Sequence, residues 1–371
     1  MIYIKPLYEY KFNLTAKKLK GLSRLTKLKI PSVPYPFVIL PKLYQEYIEN
    51  KIISDNVQRE LKKAFYSIRR QGNTITLRNS IFEHKNPAIQ YSVHNTLNIK
   101  SYDLFLQKIK QGYKKAIKMA MDPNKVEFCF FFYAFYSSEK CGILLSENGN
   151  KQIFLQAILG QHTNLILRGD IVPDEYLINK RTFKIASKKI ARKTFRMKKQ
   201  NTGIVKIRVK KVEQNMPVLS DDQVIKAAKL SRLAEKYFGP QEMEWAMLDN
   251  GQIIFQETRD FTQSKRILVD GVQVIYPQET EGEVLNLKTS PISKNLSDKV
   301  VITDNLSISF INKLAFMYRP RAVILTRGSI TSHAATVLRE SKITTLLTKN
   351  IDLKDGELIK INKKGHIQKI I

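Results

Sequence analysis

The stretch Ala322-Val-Ile-Leu-Thr-Arg-Gly-Ser-Ile-Thr-Ser-His-Ala-Ala-Thr-Val-Leu-Arg-Glu-Ser341 decides the reading of this chain. Its first four residues make a short apolar run of strand length. Gly328 permits a sharp turn, and helical spacing begins near His333. Ala334, Val337 and Leu338 share one helix face, which leaves His333 on the first turn. There the unpaired backbone N–H groups and the helix dipole favour an anion. Thr331 and Ser332 add hydroxyl donors. A neutral imidazole is a competent nucleophile near pH 7. That field would stabilise a phosphoryl group carried on the imidazole. Geometry alone favours an ordinary helix start, with Thr or Ser as a cap and an incidental His, since such caps are common.

Working outward, residues 300–302 and 343–347 read as strands and 308–317 as a helix. Strand alternating with helix implies an α/β domain of about 100 residues. Upstream of it, 270–283 reads as a connection plus a first strand. Further upstream, Ser220 or Asp221 can cap a helix over 220–237, striped by Val224, Ala227, Ala228, Leu230 and Leu233. Two strands, 243–248 and 252–257, flank an Asn250-Gly251 turn, a strong hairpin signal. Nearer the N-terminus, helices are expected over 15–25, 41–53, 57–68 and 101–121. Strands are expected over 74–77, 126–136, 142–145 and 153–159. Pro31, Pro34 and Pro36 enforce an extended entry into 37–40.

The chain has 371 residues and is 43% hydrophobic, enough for two or three cored domains. No apolar run reaches the ~18 residues of a membrane span. The N-terminus lacks a secretory layout. Cys129 and Cys141 have neither disulfide nor metal spacing and read as buried small residues. A cytoplasmic location with no membrane contact is the expectation. The net charge of +30 attracts anions. Residues 180–211 are dense in Lys and Arg with no acid, and read as basic strands or hairpins. No nucleic-acid motif accompanies them, so nucleic-acid binding is disfavoured though not removed as an alternative.

The segment Gly328-Ser329-Ile330-Thr331-Ser332-His333-Ala334-Ala335, with Leu338-Arg339-Glu340, resembles the Gly-Gly-x-Thr-Ser-His-Ala-Ala…Ala-Arg-Glu pattern of the mobile domain of phosphoenolpyruvate-utilising enzymes. Phosphoenolpyruvate synthase and pyruvate phosphate dikinase share that domain. Ser329 and Ile330 depart from the pattern, and the reactive core does not. Gln241-Glu-Met-Glu-Trp-Ala…Phe255-Gln-Glu-Thr-Arg259 resembles the end of the same family's ATP-grasp domain. By strand spacing, Glu244, Glu257 and Arg259 can face one cleft. Two carboxylates there suit Mg²⁺. Without the resemblance, the pair reads as a solvent-facing cross-strand ion pair. Lys18 takes the place of a nucleotide-contacting Lys, and Arg78 that of a phosphate-binding Arg. Cys141-Gly142-Ile143 and Arg168-Gly169…Pro173-Asp174 add weaker matches in order.

The resemblance implies an α/β (α+β) fold: a two-lobed ATP-grasp-like domain over 1–262, then a swivelling β/β/α phosphohistidine domain over 263–371. It implies ATP and Mg²⁺ as cofactors. His333, Arg259 and Thr331 are the catalytic candidates. Lys18, Arg78, Glu244, Glu257 and Arg259 would hold nucleotide, with Glu244 and Glu257 on the metal. A phosphoryl group would pass from ATP to His333, then to an acceptor such as pyruvate or another small molecule. The acceptor is expected on a separate barrel-type chain, since no residues remain for a barrel of ~250 residues. The phosphate-cradling loop is Gln90-Tyr-Ser-Val93, without the family's Gly, and Gly160-Gln-His-Thr163 replaces Gly-Leu-Gly-Glu. The charged chemistry thus survives better than the backbone meant to shape it. A non-catalytic relative that binds nucleotide or a partner is the alternative.

Overall fold

The computed structural model describes residues 2–9, 17–70, 74–83, 96–147, 151–161, 163, 165–166, 171–200, 203–261, 268–269, 272–291, 295–348 and 351–370. Gln90–Val93, His162 and Arg168–Asp170, where the family resemblance was weakest, lie outside them.

The strand Val126–Ala134 shows how the first lobe is built. Its side chains alternate between two cores, as a period of two requires. Phe128, Phe130 and Phe132 enter one apolar cluster, while Cys129, Phe131 and Tyr133 enter another. This double burial explains why the run is apolar throughout. The strand is central in an antiparallel sheet of five: Ile4–Pro6, Phe37–Ile39, Val126–Ala134, Ile75–Glu83, Thr96–Ile99. Helices Pro41–Asn50, Asp55–Arg69 and Tyr102–Met119 supply Tyr44, Tyr47, Phe65, Phe105 and Tyr113 to the same cluster as Phe128. Each aromatic buried this way contributes roughly 1.5–3 kcal/mol. Residues 74–77 were expected as a strand, and the strand runs on to Glu83 because its pairing with Val126–Ala134 continues that far.

The second lobe is a six-stranded sheet in the order Ile253–Asp260, Gln241–Leu248, Ser138–Leu145, Gln152–Leu159, Asp174–Asn179, Ile185–Lys189. Helix Asp221–Phe238 begins with a full capping box between Ser220 and Gln223. The basic stretch forms the last strand of this sheet and the separate hairpin Phe195–Gln200 with Gly203–Arg208. Helix Lys17–Lys27 packs on the outer strand Ile253–Asp260. Gly21 makes that approach possible, since a Cβ there would lie 1.9 Å from the carbonyl oxygen of Thr258.

The C-terminal domain is an eight-stranded sheet around four parallel central strands, Thr280–Asn286, Lys299–Thr303, Ala322–Leu325 and Thr344–Leu347. The segment read as a connection plus a first strand contributes two strands, Val272–Tyr276 and Thr280–Asn286. Helix His333–Glu340 is the crossover from Ala322–Leu325 to Thr344–Leu347. The other expected helix is α-helical only over Ile308–Asn312 and widens to a π-helix over Lys313–Tyr318. Among the described residues, no helix is long and apolar enough to cross a membrane.

Candidate active site

His333 opens its helix as the sequence predicts. Gly328 adopts φ +99°, which a side chain would strain, and turns the chain out of the strand. Ser332 is the N-cap, its hydroxyl accepting from the amide of Ala335 at 3.2 Å. Ala334, Ala335, Val337 and Leu338 are buried beneath the helix. His333 is thereby left at the first helical position, among the amides that attract an anion.

The histidine faces the second lobe. Charges from that side act on its ring: Arg259 and Lys18 oppose its protonation and Glu257 favours it, as does Glu340 at the end of its own helix. Burial is the largest influence, and together these push His333 down to about 4. The imidazole is therefore neutral at pH 7, the form with a nucleophilic nitrogen.

Glu244 and Glu257 are direct partners across the hairpin, so both carboxylates project from one face of the sheet. Each is only 8% exposed, which removes the solvent-facing ion pair as an explanation. Burial first, and then the Glu257 carboxylate, raise Glu244 above the usual carboxylate range. Thr163 donates to Glu244 Oε2 at 2.8 Å. Burial also works against Glu257, but Lys18, Arg259, Arg78 and His333 hold it below the usual range. Lys18 Nζ lies 3.9 Å from Glu257 Oε2.

Arg78 reaches the same group from the five-stranded sheet. Burial disfavours its charge, yet Tyr133, Glu257 and Glu244 hold its guanidinium above the ordinary value. Its Nε is buried and has no hydrogen-bond partner among the described residues. Buried donors of this kind want an acceptor. Lys18, Arg78, Glu244, Glu257 and Arg259 come from four separate elements, and with His333 they form one electrostatic cluster.

Two facing carboxylates that repel one another fit a hard divalent cation, which would relieve the repulsion. Among the described residues, no three His, Cys, Asp or Glu side chains are grouped to cage a metal. A cation here would complete its shell from water and phosphate oxygens, as Mg²⁺ does.

Sequence reasoning missed Glu242. It lies two residues before Glu244, hence on the same sheet face, and is 2% exposed. Arg259 donates to its Oε1, and Arg339 donates to its Oε2 at 2.9 Å. The period-two rule could have found it. Thr331, a catalytic candidate from the sequence, donates to Gln156 Oε1 at 2.5 Å across the domains. Gln156 in turn donates to Glu175 at 3.0 Å. Nothing local in the sequence signals a pairing between positions so distant. Cys129 and Cys141 are buried, as expected.

Comparison with known proteins covers both domains. Residues 108–280 match the pyruvate phosphate dikinase AMP/ATP-binding domain, and 296–364 match the mobile domain of PEP-utilising enzymes. The probable phosphoenolpyruvate synthase of Pyrococcus horikoshii is 26% identical, over 86% of this chain and 44% of that protein. The phosphoenolpyruvate synthase of Pyrococcus furiosus is 29% identical, over 60% of this chain and 30% of that protein. The chain thus spans less than half the length of these curated relatives. Among solved structures, the D-alanine-D-alanine ligase from Coxiella burnetii overlays with a TM-score of 0.33 at 11% identity. That overlay covers 66% of this chain and 47% of that one.

Proposed function

Membership of the pyruvate phosphate dikinase and phosphoenolpyruvate synthase family is the premise from which we propose that this chain charges His333 with a phosphoryl group from ATP. The observation that carries the reading is the placement of His333. A neutral imidazole at a helix N-terminus faces the cluster of Lys18, Arg78, Glu244, Glu257 and Arg259.

In this reading Lys18, Arg78 and Arg259 bind and orient the phosphates, whose charge they offset. Glu244 and Glu257 would hold Mg²⁺, which when bound neutralises the polyphosphate. The ring nitrogen of His333 attacks phosphorus. A P–N bond forms as the P–O bond to the leaving nucleotide breaks. By family resemblance the β-phosphoryl is the group moved and AMP leaves. The γ-phosphoryl goes to water or to inorganic phosphate. The amides at the start of the helix receive the new negative charge. Burial keeps water from competing for the phosphoryl group. Phospho-His333 would then pass its group to an acceptor such as pyruvate.

Incubation with ATP labelled at the β or the γ position tests this. The expected result is an acid-labile label from the β position only, absent from His333→Asn. Nucleotide binding without label would replace the proposal with the non-catalytic alternative.

A further inference from the structure

We infer that Arg339, Glu242 and Arg259 form the latch that seats the histidine-bearing domain on the nucleotide-binding lobe, with Glu242 as the positioning residue. The inference rests on His333 as the residue charged. It concerns how the ring is brought to the donor.

The geometry is specific. Glu242 belongs to strand Gln241–Leu248 and pairs in register with Arg259 on strand Ile253–Asp260. Arg339 belongs to helix His333–Glu340 of the other domain. One buried carboxylate thus spends one oxygen on its own hairpin and the other on the visiting helix. Arg339 is itself only 9% exposed and stacks over the ring of Phe261 at 5.0 Å. Burial, then the nearby Arg259 charge, press Arg339 below its ordinary value, so its guanidinium depends on Glu242 for compensation. A buried charge left without its partner is strongly destabilised.

Arg339 is six residues after His333, about 9 Å along the same helix at 1.5 Å per residue. The helix is a rigid lever, and the domain interface pins it along its length. Thr331, just ahead of it, bonds Gln156. In the middle, Thr336 accepts from Arg259 at 3.3 Å. Near its end, Arg339 bonds Glu242. Leu145 and Phe154 of the second lobe join the apolar cluster of Ile330, Ala334 and Leu338 beneath it. Apolar surface is indifferent to sliding by a fraction of an ångström, whereas charge-assisted hydrogen bonds are directional. The latch therefore sets where His333 sits over Glu257 and Arg259.

Two variants and two readouts test this. Arg339→Met keeps the bulk and removes the charge, while Arg339→Lys keeps the charge. Docking is followed by fluorescence transfer between a dye on each domain, and charging by single-turnover formation of phospho-His333. For Arg339→Met the expected result is a loss of docked population on the order of 100-fold in the docking constant. Charging should slow at least 10-fold, with nucleotide affinity within about 2-fold of wild type. Arg339→Lys should recover most of the docking. Unchanged docking in Arg339→Met overturns the inference, as does an equal loss in the lysine variant. The fluorescence readout needs no turnover. If the wild-type chain never charges His333, the function proposed above fails while the latch is still decided.

Discussion

His333 is pushed down to about 4 by burial and by Arg259 and Lys18, all consequences of docking on the second lobe. Its neutral, nucleophilic form should therefore persist well below pH 6. Proton-detected titration of the docked chain should give a midpoint near 4, while an undocked His333 should titrate near its ordinary 6.5. Glu257 offers a second test at this scale. Replacing it by Gln removes one of two repelling carboxylates while keeping the side chain's size. The Mg²⁺ needed for half-maximal charging should rise about tenfold, equivalent to ~1.4 kcal/mol of lost ion binding. An unchanged Mg²⁺ requirement would remove Glu257 from the metal. These side chains were legible from sequence because strand spacing and the Thr-Ser-His-Ala-Ala turn place them. The role of Thr331 was not, because its partner Gln156 is fixed by domain docking rather than by neighbours in the chain.

At the level of elements, close contact between helix Lys17–Lys27 and strand Ile253–Asp260 brings Lys18 to Glu257. Gly21→Ala would drive a methyl group into the carbonyl oxygen of Thr258. Backbone must shift to admit it, costing about 1–3 kcal/mol as overpacking does. A lower Tm together with weaker nucleotide binding is expected. A stable variant that binds nucleotide normally would show that the helix does not set the position of Lys18. The hairpin of Glu244 and Glu257 could be read from Asn250-Gly251 because local turn chemistry fixes it. Val272–Tyr276 and Thr280–Asn286 were harder. Their pairing is with distant strands, and the Gly, Pro and Glu in this stretch resemble those of a linker.

On the scale of the whole molecule, the two domains meet among the described residues through a charged latch, the hydroxyl contacts of Thr331 and Thr336 and an apolar seat. Linkage gives docking a pH dependence whose sign follows from His333. Its docked value lies below its free value, so the undocked state binds the proton more tightly. The contribution of His333 to docking is complete above pH 6.5 and is lost as pH falls toward 4. Small-angle scattering across that window should show the chain extending as it is acidified, and a His333→Asn chain should respond less. Compaction on acidification would contradict the assignment of burial to docking. Motifs of both matched domain families were legible in the sequence. The mutual orientation of the domains depends on Glu242, which lies in the Gln241-Glu-Met-Glu-Trp-Ala stretch yet shows its role only in the docked domains.

The most direct test of the central claim is the intact mass of the chain after incubation with ATP and Mg²⁺. A gain of one phosphoryl group, lost in mild acid and absent from His333→Asn, is the expected result. ATP bound or consumed with no such adduct, or an adduct that persists in His333→Asn, would contradict the claim that His333 carries the phosphoryl group.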